Sequence, residues 1–284
     1  MPVRLSRSAR LRRGGPSHPG GLGAISGPPC HKIAPRRVLV TGLSGLIGGA
    51  LRPHVEAKYA LRALNRRPVP GVECHLADLG DLDAIRPAFD GVDTVVHLAA
   101  AAGDHQSPAD IMRSNVLGAY NVFEAARLAG VTRVIFASSG ATVAGWEREP
   151  PLSHIVAGRY DQVGDWARLT HESPLRPAGL YGASKVWGEA LGRHYADAHG
   201  MSVICLRIGR VKKEDRPTGP RDLSVWCSQR DVTRMIVACI EAPATVRFDV
   251  FFAVSDNRWS YRDVEHARQV LGWTPLDRAE DHRA

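Results

Sequence analysis

Short apolar runs alternate with amphipathic stretches along the chain from residue 37 onward. Short apolar runs are typical of buried strands, and apolar positions that repeat every 3.6 residues are typical of helices. The pattern predicts, in chain order, strand 37–41, a helix to about Lys58, strands 60–64 and 72–76, helix 81–88, strand 93–98, helix 109–129, strand 132–137 and helix 181–199. Strands that alternate with helices form parallel sheets with right-handed crossovers. The expected fold class is therefore α/β, a doubly wound parallel sheet.

Three glycines, Gly42, Gly45 and Gly48, lie between the first predicted strand and the first predicted helix. In this setting the first glycine allows a tight turn, the second lets backbone approach a pyrophosphate, and the third lets the helix pack closely on the strand. The amino end of the helix then offers free N–H groups and a positive dipole end to phosphate. The pattern indicates a Rossmann fold whose ligand lies beyond the carboxyl ends of the strands.

We predict three parts along the chain. Residues 1–35 form a basic tail that we expect to be disordered, because it is rich in Gly, Pro, Ser and Arg. Residues 36–206 form the dinucleotide-binding domain and include the catalytic helix, and residues 207–284 form a small C-terminal substrate-binding annex. The polar segment 145–179 contains several aromatic residues, and we interpret it as a partly ordered lid over the site, since loops of this length are usually functional or disordered.

The formal net charge of +8 resides at the amino end of the chain. Residues 1–37 carry eight basic and no acidic residues, which leaves 29 of the 37 basic residues to balance all 29 acidic ones. Attraction to nucleic acid would therefore come from the tail alone, and we expect no nucleic-acid partner. The tail lacks the apolar core of a secretory signal. It is either an extension without a structural role or an organellar transit peptide, which its Arg-rich and acid-free composition permits.

With 284 residues, of which 44% are apolar, the chain is long enough for one α/β domain with a large core. The five cysteines are scattered and show no Cys-x-x-Cys pair or metal-ligand spacing. We therefore predict reduced thiols, no metal site and a cytoplasmic location. No apolar run approaches the roughly 18 residues that a membrane-spanning helix needs, so we expect no membrane partner.

Tyr181 and Lys185 are four residues apart in the last predicted helix. Positions i and i+4 share one helix face, so both side chains can reach one site. A neighbouring ammonium favours the phenolate and brings the pKa of the phenol closer to neutral pH, as proton transfer requires. The pair predicts proton-coupled redox chemistry, and the alternative is a surface lysine beside a packed tyrosine.

Several motifs occur together and in a fixed order over residues 37–275. They are Gly42, Gly45 and Gly48, Leu-Ala-Asp-Leu at 76–79, His-Leu-Ala-Ala at 97–100, Asn115-Val116-x-Gly118, Ser138-Ser139, Tyr181-x-x-x-Lys185 and Leu271-Gly272-Trp273-x-Pro275. In this combination the chain resembles the extended short-chain dehydrogenases/reductases of the NAD-dependent epimerase/dehydratase superfamily. The C-terminal third is most similar to uronate dehydrogenases and their sugar-dehydrogenase relatives, which oxidise C1 of a hexuronic acid to a lactone with NAD.

The resemblance implies a catalytic role for three side chains. Tyr181 would be the general base, Lys185 would contact the nicotinamide ribose beside the phenol, and Ser139 would contact the substrate oxygen. The resemblance places the cofactor on Gly42, Gly45, Leu46, Ile47, Gly48, Asn65, Arg66, Asp78, Leu79, Leu98, Ala99, Ala100, Asn115, Tyr181, Lys185 and Ile208. Asp78 and Leu79 would bracket the adenine. Asn115 would hold an active-site water, or it satisfies backbone groups at a helix bend.

The substrate positions depart from the uronate enzymes. Those enzymes carry Asn-His after the serine, where this chain has Gly140 and Ala141, and they carry Ser where this chain has Arg210. Arg221 matches their carboxylate-binding arginine, and its alternative is an ordinary surface arginine. With Ser139, Gly140, Arg210 and Arg221 as the expected substrate contacts, the small-molecule substrate is a sugar or sugar acid, and another anion such as a sugar phosphate is open.

Asn65, Arg66 and Arg67 stand at the end of the second predicted strand, where an NAD enzyme has an acidic residue for the ribose 2′-hydroxyl. Two arginines without a carboxylate favour NADP, or the use of both NAD and NADP.

Three other expectations accompany this reading. Relatives pair the helices placed here at 109–129 and 181–199, so the resemblance implies a homodimer. A nucleotide-sugar epimerase or dehydratase would use the same tyrosine with a tightly held NAD. Only 99 residues follow Lys185, which favours a small substrate over a nucleotide-sugar. A non-catalytic NAD(P)-binding redox sensor is a further alternative.

Overall fold

A single sheet of parallel strands organises residues 36–282, the part of the chain that the computed structural model describes; the predicted tail at 1–35 lies outside it. The strands are β1 (Arg37–Thr41), β2 (Ala60–Asn65), β3 (Glu73–Leu76), β4 (Thr94–His97), β5 (Arg133–Ser139), β6 (Ser202–Ile208) and β7 (Phe248–Ala253). They lie in the order β3-β2-β1-β4-β5-β6-β7, and all neighbours are parallel. The chain order reverses between β1 and β4, which makes this pair the switch point of the sheet.

Helices cover both faces of the sheet. They are α1 (Leu46–Glu56), α2 (Leu82–Ile85), α3 (Pro108–Ile111), α4 (Gly118–Leu128), α5 (Leu152–Val156), α6 (Leu180–His199), α7 (Asp222–Val225), α8 (Gln229–Glu241) and α9 (Glu265–Leu271). A π-helical segment, Met112–Leu117, joins α3 to α4. Among the described residues, no helix combines the length and apolarity needed to cross a membrane.

The two hydrophobic cores follow from the two-residue period of the strands. In β1, Val38 and Val40 face one core together with Leu51 of α1 and Ile236 of α8. Leu39, between them, faces the other core, which contains residues of α4 and α6. Strands buried on both faces explain the continuous apolar runs in the sequence, and the predicted doubly wound parallel sheet is confirmed.

The structure adds elements beyond those predicted. The predicted helix 109–129 is divided by the π-helical segment, and β6, β7 and α8 had no counterpart among the predicted elements. β7 extends the sheet, and α8 packs on the same core as α1. The sheet therefore continues past residue 206, where the sequence analysis placed the end of the dinucleotide-binding domain.

The predicted lid, 145–179, is packed against the C-terminal region. The Leu169 amide donates to the Tyr261 carbonyl over 2.7 Å, and the Gly145 amide donates to the Arg176 carbonyl over 2.7 Å. Leu152 and Ile155 of α5 are buried in a small cluster with Tyr261, and Trp146, Trp166 and Trp259 pack around them. Apolar side chains therefore anchor the segment 145–179 to residues of the C-terminal region.

Candidate active site

A cavity of about 920 Å³ lies at the carboxyl ends of the strands, beside the switch point between β1 and β4. Every predicted site residue except Asn115 lines this cavity. The lining residues come from the whole carboxyl edge of the sheet. From the glycine loop and β2–β4 these are Gly42, Gly45, Leu46, Ile47, Gly48, Asn65, Arg66, Asp78, Leu79, Leu98, Ala99 and Ala100. From β5 onward they are Ser139, Gly140, Tyr181, Lys185, Ile208, Arg210 and Arg221.

The glycine loop has the backbone geometry that a dinucleotide requires. Gly42 has a φ of +73°, and a Cβ there would lie 2.8 Å from the backbone nitrogen of Ala99. A Cβ on Gly48 would lie 2.5 Å from the Gly42 carbonyl oxygen. Gly45 caps α1 without a side chain that bonds the first N–H groups, so these amides are available to an anion. The loop fits the pyrophosphate of a nicotinamide dinucleotide.

The end of the cavity that we predict to hold the adenosine, the adenosine end, lies at the ends of β2 and β3. Asn65 is 5% exposed, and none of the described residues accepts a hydrogen bond from its Nδ2. Arg66 and Arg67 are exposed and line the cavity. The Gly80 amide holds the pKa of Asp78 below its usual range, and the charges of Arg113 and Arg66 add to this. A buried amide donor without a partner is consistent with a bound ligand at this position.

Asn115 lies in the π-helical segment and does not line the cavity. Its Oδ1 accepts from the Ala101 amide over 2.8 Å, and its Nδ2 donates to the Ala101 carbonyl and to the Ser184 hydroxyl over 3.0 and 3.1 Å. Among the described residues, the neighbouring Ser114 lines the cavity wall, and the Asn115 side chain is held by the Ala101 backbone and Ser184. The contacts favour the alternative interpretation, in which Asn115 satisfies backbone groups at a helix bend.

Close packing of α6 on β5 brings Tyr181 and Lys185 to Ser139. A Cβ on Gly182 would lie 2.6 Å from the Ala141 carbonyl oxygen, and a Cβ on Gly188 would lie 2.1 Å from the ring of Phe136. These glycines let the helix approach the strand where a larger residue would separate them. The sequence predicted the i, i+4 pair, but not the two glycines that position it.

Burial dominates the electrostatics of the Tyr181–Lys185 pair. Lys185 is 4% exposed, and burial lowers its pKa to about 8. Its Nζ donates to the Ala137 carbonyl over 2.7 Å and lies 5.6 Å from the centroid of the Tyr181 ring. Burial raises the pKa of Tyr181, and a hydrogen bond with Ser139 partly offsets that rise.

The raised pKa of Tyr181 corrects the expectation that Lys185 brings it toward neutrality. The physical reason is that the ammonium is directed at a backbone carbonyl and lies over the ring. In this geometry the loss of solvent around the phenol is the largest effect on its pKa, and the charge of Asp104 adds to the rise.

Buried polar side chains support the site from behind. Burial lowers the pKa of His97 to about 3, so its ring is neutral, and it lies 2.7 Å from the Thr41 hydroxyl. Glu189 accepts from the Ser138 hydroxyl over 2.6 Å and binds Arg207 through two hydrogen bonds of 2.8 and 2.9 Å. This network ties α6 to β5 and β6. The network was not predictable from the sequence, because Glu189 and Arg207 form no local motif.

The end of the cavity that we predict to bind the substrate, the substrate end, is rich in arginine. Arg221, predicted to bind a substrate carboxylate, forms a two-point ion pair with Glu147 at 2.6 and 2.8 Å. Burial opposes ionisation of Glu147, but the Arg221 hydrogen bonds outweigh it and the pKa of Glu147 lies below its usual range. Arg210 is half exposed and lies 3.3 Å from Asp222. Both arginines line the cavity, but each is already paired with a carboxylate.

Arg262 is a further cavity residue, which the sequence analysis did not identify. It is 2% exposed and lies beside Gly140. It lies nine residues before the predicted motif at 271–275, in a stretch for which the sequence predicted no motif. Within residues 36–282, no group of three or more His, Cys, Asp or Glu side chains is arranged to hold a metal ion.

Comparison with known proteins agrees with this geometry. The model of the NAD dependent epimerase/dehydratase family matches residues 38–212. The chain is 34% identical over 260 residues to an NAD-dependent glucose-6-phosphate dehydrogenase from Haloferax volcanii, which covers 86% of this chain and 94% of that protein. It is 35% identical over 253 residues to a uronate dehydrogenase from Agrobacterium fabrum, with 87% of each chain covered.

Solved structures give the same result. The crystal structure of uronate dehydrogenase from Agrobacterium tumefaciens superposes with a TM-score of 0.73 at 33% identity, over 87% of this chain and 86% of that one. These likenesses extend over nearly all of the described residues. The glycine loop and the Tyr181–Lys185 pair indicate the same family. The chain belongs to the NAD dependent epimerase/dehydratase family, as the resemblance in its sequence implied.

Proposed function

We propose that the protein is an NAD(P)-dependent dehydrogenase that oxidises the C1 hydroxyl of an aldose bearing an anionic group, a uronate or a sugar phosphate, to the lactone. The observation that carries the proposal is the convergence of Ser139, Tyr181 and Lys185 on one cavity that also contains the glycine loop. The two relatives described above are named for the oxidation of a uronate and of glucose 6-phosphate, so both anions are represented among similar proteins.

A bound nicotinamide ring supplies the acceptor for the hydride that leaves C1. The chain supplies position and proton transfer. The Ser139 hydroxyl and the Tyr181 phenol are close enough to interact, so together they can hold the C1 hydroxyl. Tyr181 accepts the proton of that hydroxyl in its phenolate form and becomes the neutral phenol. A pKa of about 8 keeps Lys185 mostly charged at neutral pH, where it favours the phenolate. The buried Glu189–Arg207 pair keeps α6 in place.

The direct test follows the absorbance of reduced nicotinamide while uronates, sugar phosphates and neutral aldoses are offered with NAD and with NADP. We expect stoichiometric NAD(P)H from an anionic aldose. An epimerase or dehydratase would instead convert its sugar without net NAD(P)H, and a redox sensor would bind cofactor without converting any sugar. Either result would contradict the proposal.

We propose further that the enzyme uses NADP, or both cofactors. Support comes from Arg66 and Arg67, which line the adenosine end of the cavity, and from the absence of an acidic residue at the end of β2. We expect Arg66→Ala to lower kcat/KM for NADP by roughly 10- to 100-fold, the effect of one charged hydrogen bond. The value for NAD should change by less than about threefold, because NAD has no 2′-phosphate. Equal losses with both cofactors would contradict this assignment.

A homodimer is proposed through α4, α6 and the π-helical segment. Large apolar side chains on these helices are exposed although isolated monomers rarely expose such patches; they are Met112, Leu117, Tyr120 and Trp187. We expect light scattering to give twice the chain mass for the native protein and the single mass for Trp187→Glu, since burial of a charge opposes association. A monomeric native protein would overturn the proposal.

A cytoplasmic location is proposed because Cys74, Cys205, Cys227 and Cys239 are all unpaired. Unpaired thiols are typical of a reducing compartment. Burial raises the pKa of Cys205, Cys227 and Cys239, so these thiols are unreactive.

A further inference from the structure

Gly140 and Arg262 occupy one space in the substrate end of the cavity. A Cβ on Gly140 would lie 2.2 Å from both Cζ and Nη1 of Arg262 and 2.4 Å from Nη2. No side chain at position 140 is therefore compatible with the position of this guanidinium. The glycine follows Ser139 directly, where the uronate dehydrogenases that the chain resembles carry asparagine. An asparagine at position 140 of this chain would overlap the Arg262 guanidinium at its Cβ.

Arg262 is a buried cation with few partners. Its Nη2 donates to the Gly140 carbonyl over 3.3 Å and to the Tyr261 hydroxyl over 3.4 Å, both long for hydrogen bonds to a guanidinium. Its Nε is buried without an acceptor among the described residues. Its closest carboxylate, that of Glu147, is 4.0 Å away. A buried guanidinium is costly unless an anion binds it, and this one faces the cavity.

The surrounding charges leave Arg262 free for a ligand. Glu147 is engaged by two hydrogen bonds from Arg221 and by the Tyr261 hydroxyl. Asp222 is paired with Lys212 at 2.9 Å and with Arg210 at 3.3 Å. We call these groups the arginine cluster: Arg210, Lys212, Arg221, Arg262, Glu147 and Asp222. It contains four cations and two carboxylates, so two positive charges are uncompensated within it.

We propose that Arg262 binds the phosphate of an aldose phosphate. Gly140 leaves the space in which the Arg262 guanidinium lies at the site. The inference rests on the proposed function and selects between its two anions. A phosphate monoester carries a charge close to −2 at neutral pH, which matches the two uncompensated charges. A uronate carboxylate would neutralise only one of them. The planar guanidinium offers a fork of donors that suits phosphate oxygens.

Kinetics with matched sugars test the proposal. We expect the native enzyme to prefer glucose 6-phosphate over glucuronate and glucose in kcat/KM. Arg262→Gln should raise KM for glucose 6-phosphate by roughly 30- to 100-fold, while kcat changes by less than about threefold, because the phosphate is remote from C1. The weak activity on glucose should not change. The matched control is Arg258→Gln, four residues earlier, whose exposed guanidinium lies over the Trp259 ring outside the cavity.

Two kinetic outcomes would overturn the proposal. A native preference for glucuronate over glucose 6-phosphate would exclude the phosphate assignment. An equal loss with glucose 6-phosphate and with glucose in Arg262→Gln would assign Arg262 a structural role alone. Arg262→Lys keeps the charge without the fork, so we expect an intermediate KM for glucose 6-phosphate and the same value for glucose.

A binding measurement separates failure of this inference from failure of the proposed function. We expect glucose 6-phosphate and inorganic phosphate to raise the Tm of the native protein saturated with NADPH, whose own phosphates occupy the glycine loop and the Arg66 site, and to have no such effect on Arg262→Gln. If no sugar yields NAD(P)H but this difference is present, the proposed function fails and the anion site stands. If NAD(P)H is formed and both proteins are stabilised equally by phosphate, the inference fails and the proposed function stands.

Gly140→Ala provides an independent variant that leaves Arg262 in the chain. The added methyl group would overlap the guanidinium, so Arg262 must move and we expect a similar rise in KM for glucose 6-phosphate. Combining Gly140→Ala with Arg262→Gln should add little, because both changes remove the same contact. If the two changes raised KM for glucose 6-phosphate independently and additively, the conclusion that Gly140 and Arg262 share one space would be wrong.

Discussion

Replacement of Tyr181 by Phe is expected to lower kcat/KM for the sugar substrate by roughly 1,000-fold, within the range that general acid–base catalysis contributes. The ring remains, so its packing and its distance from Lys185 are preserved, and only the proton acceptor is lost. Steady-state kinetics, with cofactor affinity measured separately by fluorescence titration, would check this result.

The matched control for this variant is Tyr59→Phe. The Tyr59 hydroxyl donates to Glu241 on the outside of the molecule and does not line the cavity. We expect native activity from it. If Tyr181→Phe bound cofactor normally and kept its activity, the assignment of Tyr181 as the proton acceptor would be wrong.

Replacement of Lys185 by Met is expected to lower kcat/KM by roughly 100-fold and to make the cofactor-free protein more stable. Burial lowers the pKa of Lys185 from 10.5 to about 8, which corresponds to a cost of about 3 kcal/mol for the charged form in the folded state. Methionine has a similar length and no charge. It also removes the hydrogen bond to the Ala137 carbonyl, worth about 1 kcal/mol, so the net gain should be about 2 kcal/mol.

The difference in unfolding free energy between the native protein and Lys185→Met depends on pH, and the sign of this dependence is defined. Below pH 8 the lysine is protonated in both states, so the folded native protein carries the full penalty. Between about 8 and 10.5 the unfolded chain keeps the proton that the folded protein releases, so native stability rises with pH relative to Lys185→Met. Denaturant unfolding of both proteins across this window would measure it. A difference that does not depend on pH would show that Lys185 does not titrate as described.

The cofactor half of the site was largely predictable from the sequence. The glycine loop is a local motif, and its three glycines have the roles expected of a tight turn and close backbone approaches. Tyr181 and Lys185 are also local, because four residues on a helix define their relative position. The surroundings of Asn115 were not predictable, since it lies in a π-helical segment with its side chain on the Ala101 backbone, and no pattern in the sequence indicated that segment.

The hydrophobic periodicity of the sequence was insufficient to predict how the segment interpreted as a lid packs. Residues 145–179 are polar on average, which is typical of a loop, but a few apolar side chains anchor the segment to Tyr261. Those anchors lie about a hundred positions apart in the chain. Their contact depends on how the annex folds, which composition does not reveal.

The sequence by itself determined the doubly wound sheet, the dinucleotide loop and the proton-transfer pair, because each depends on residues close together in the chain. The tertiary structure decided the substrate end. Arg221 meets Glu147 across 74 positions, and Arg262 meets Gly140 across 122. Only folding shows that the first arginine is already paired and that the second lies in the space left by a glycine. The physical reason is that burial and ion pairing, which decide which cation is free for a ligand, arise from contacts between distant parts of the chain.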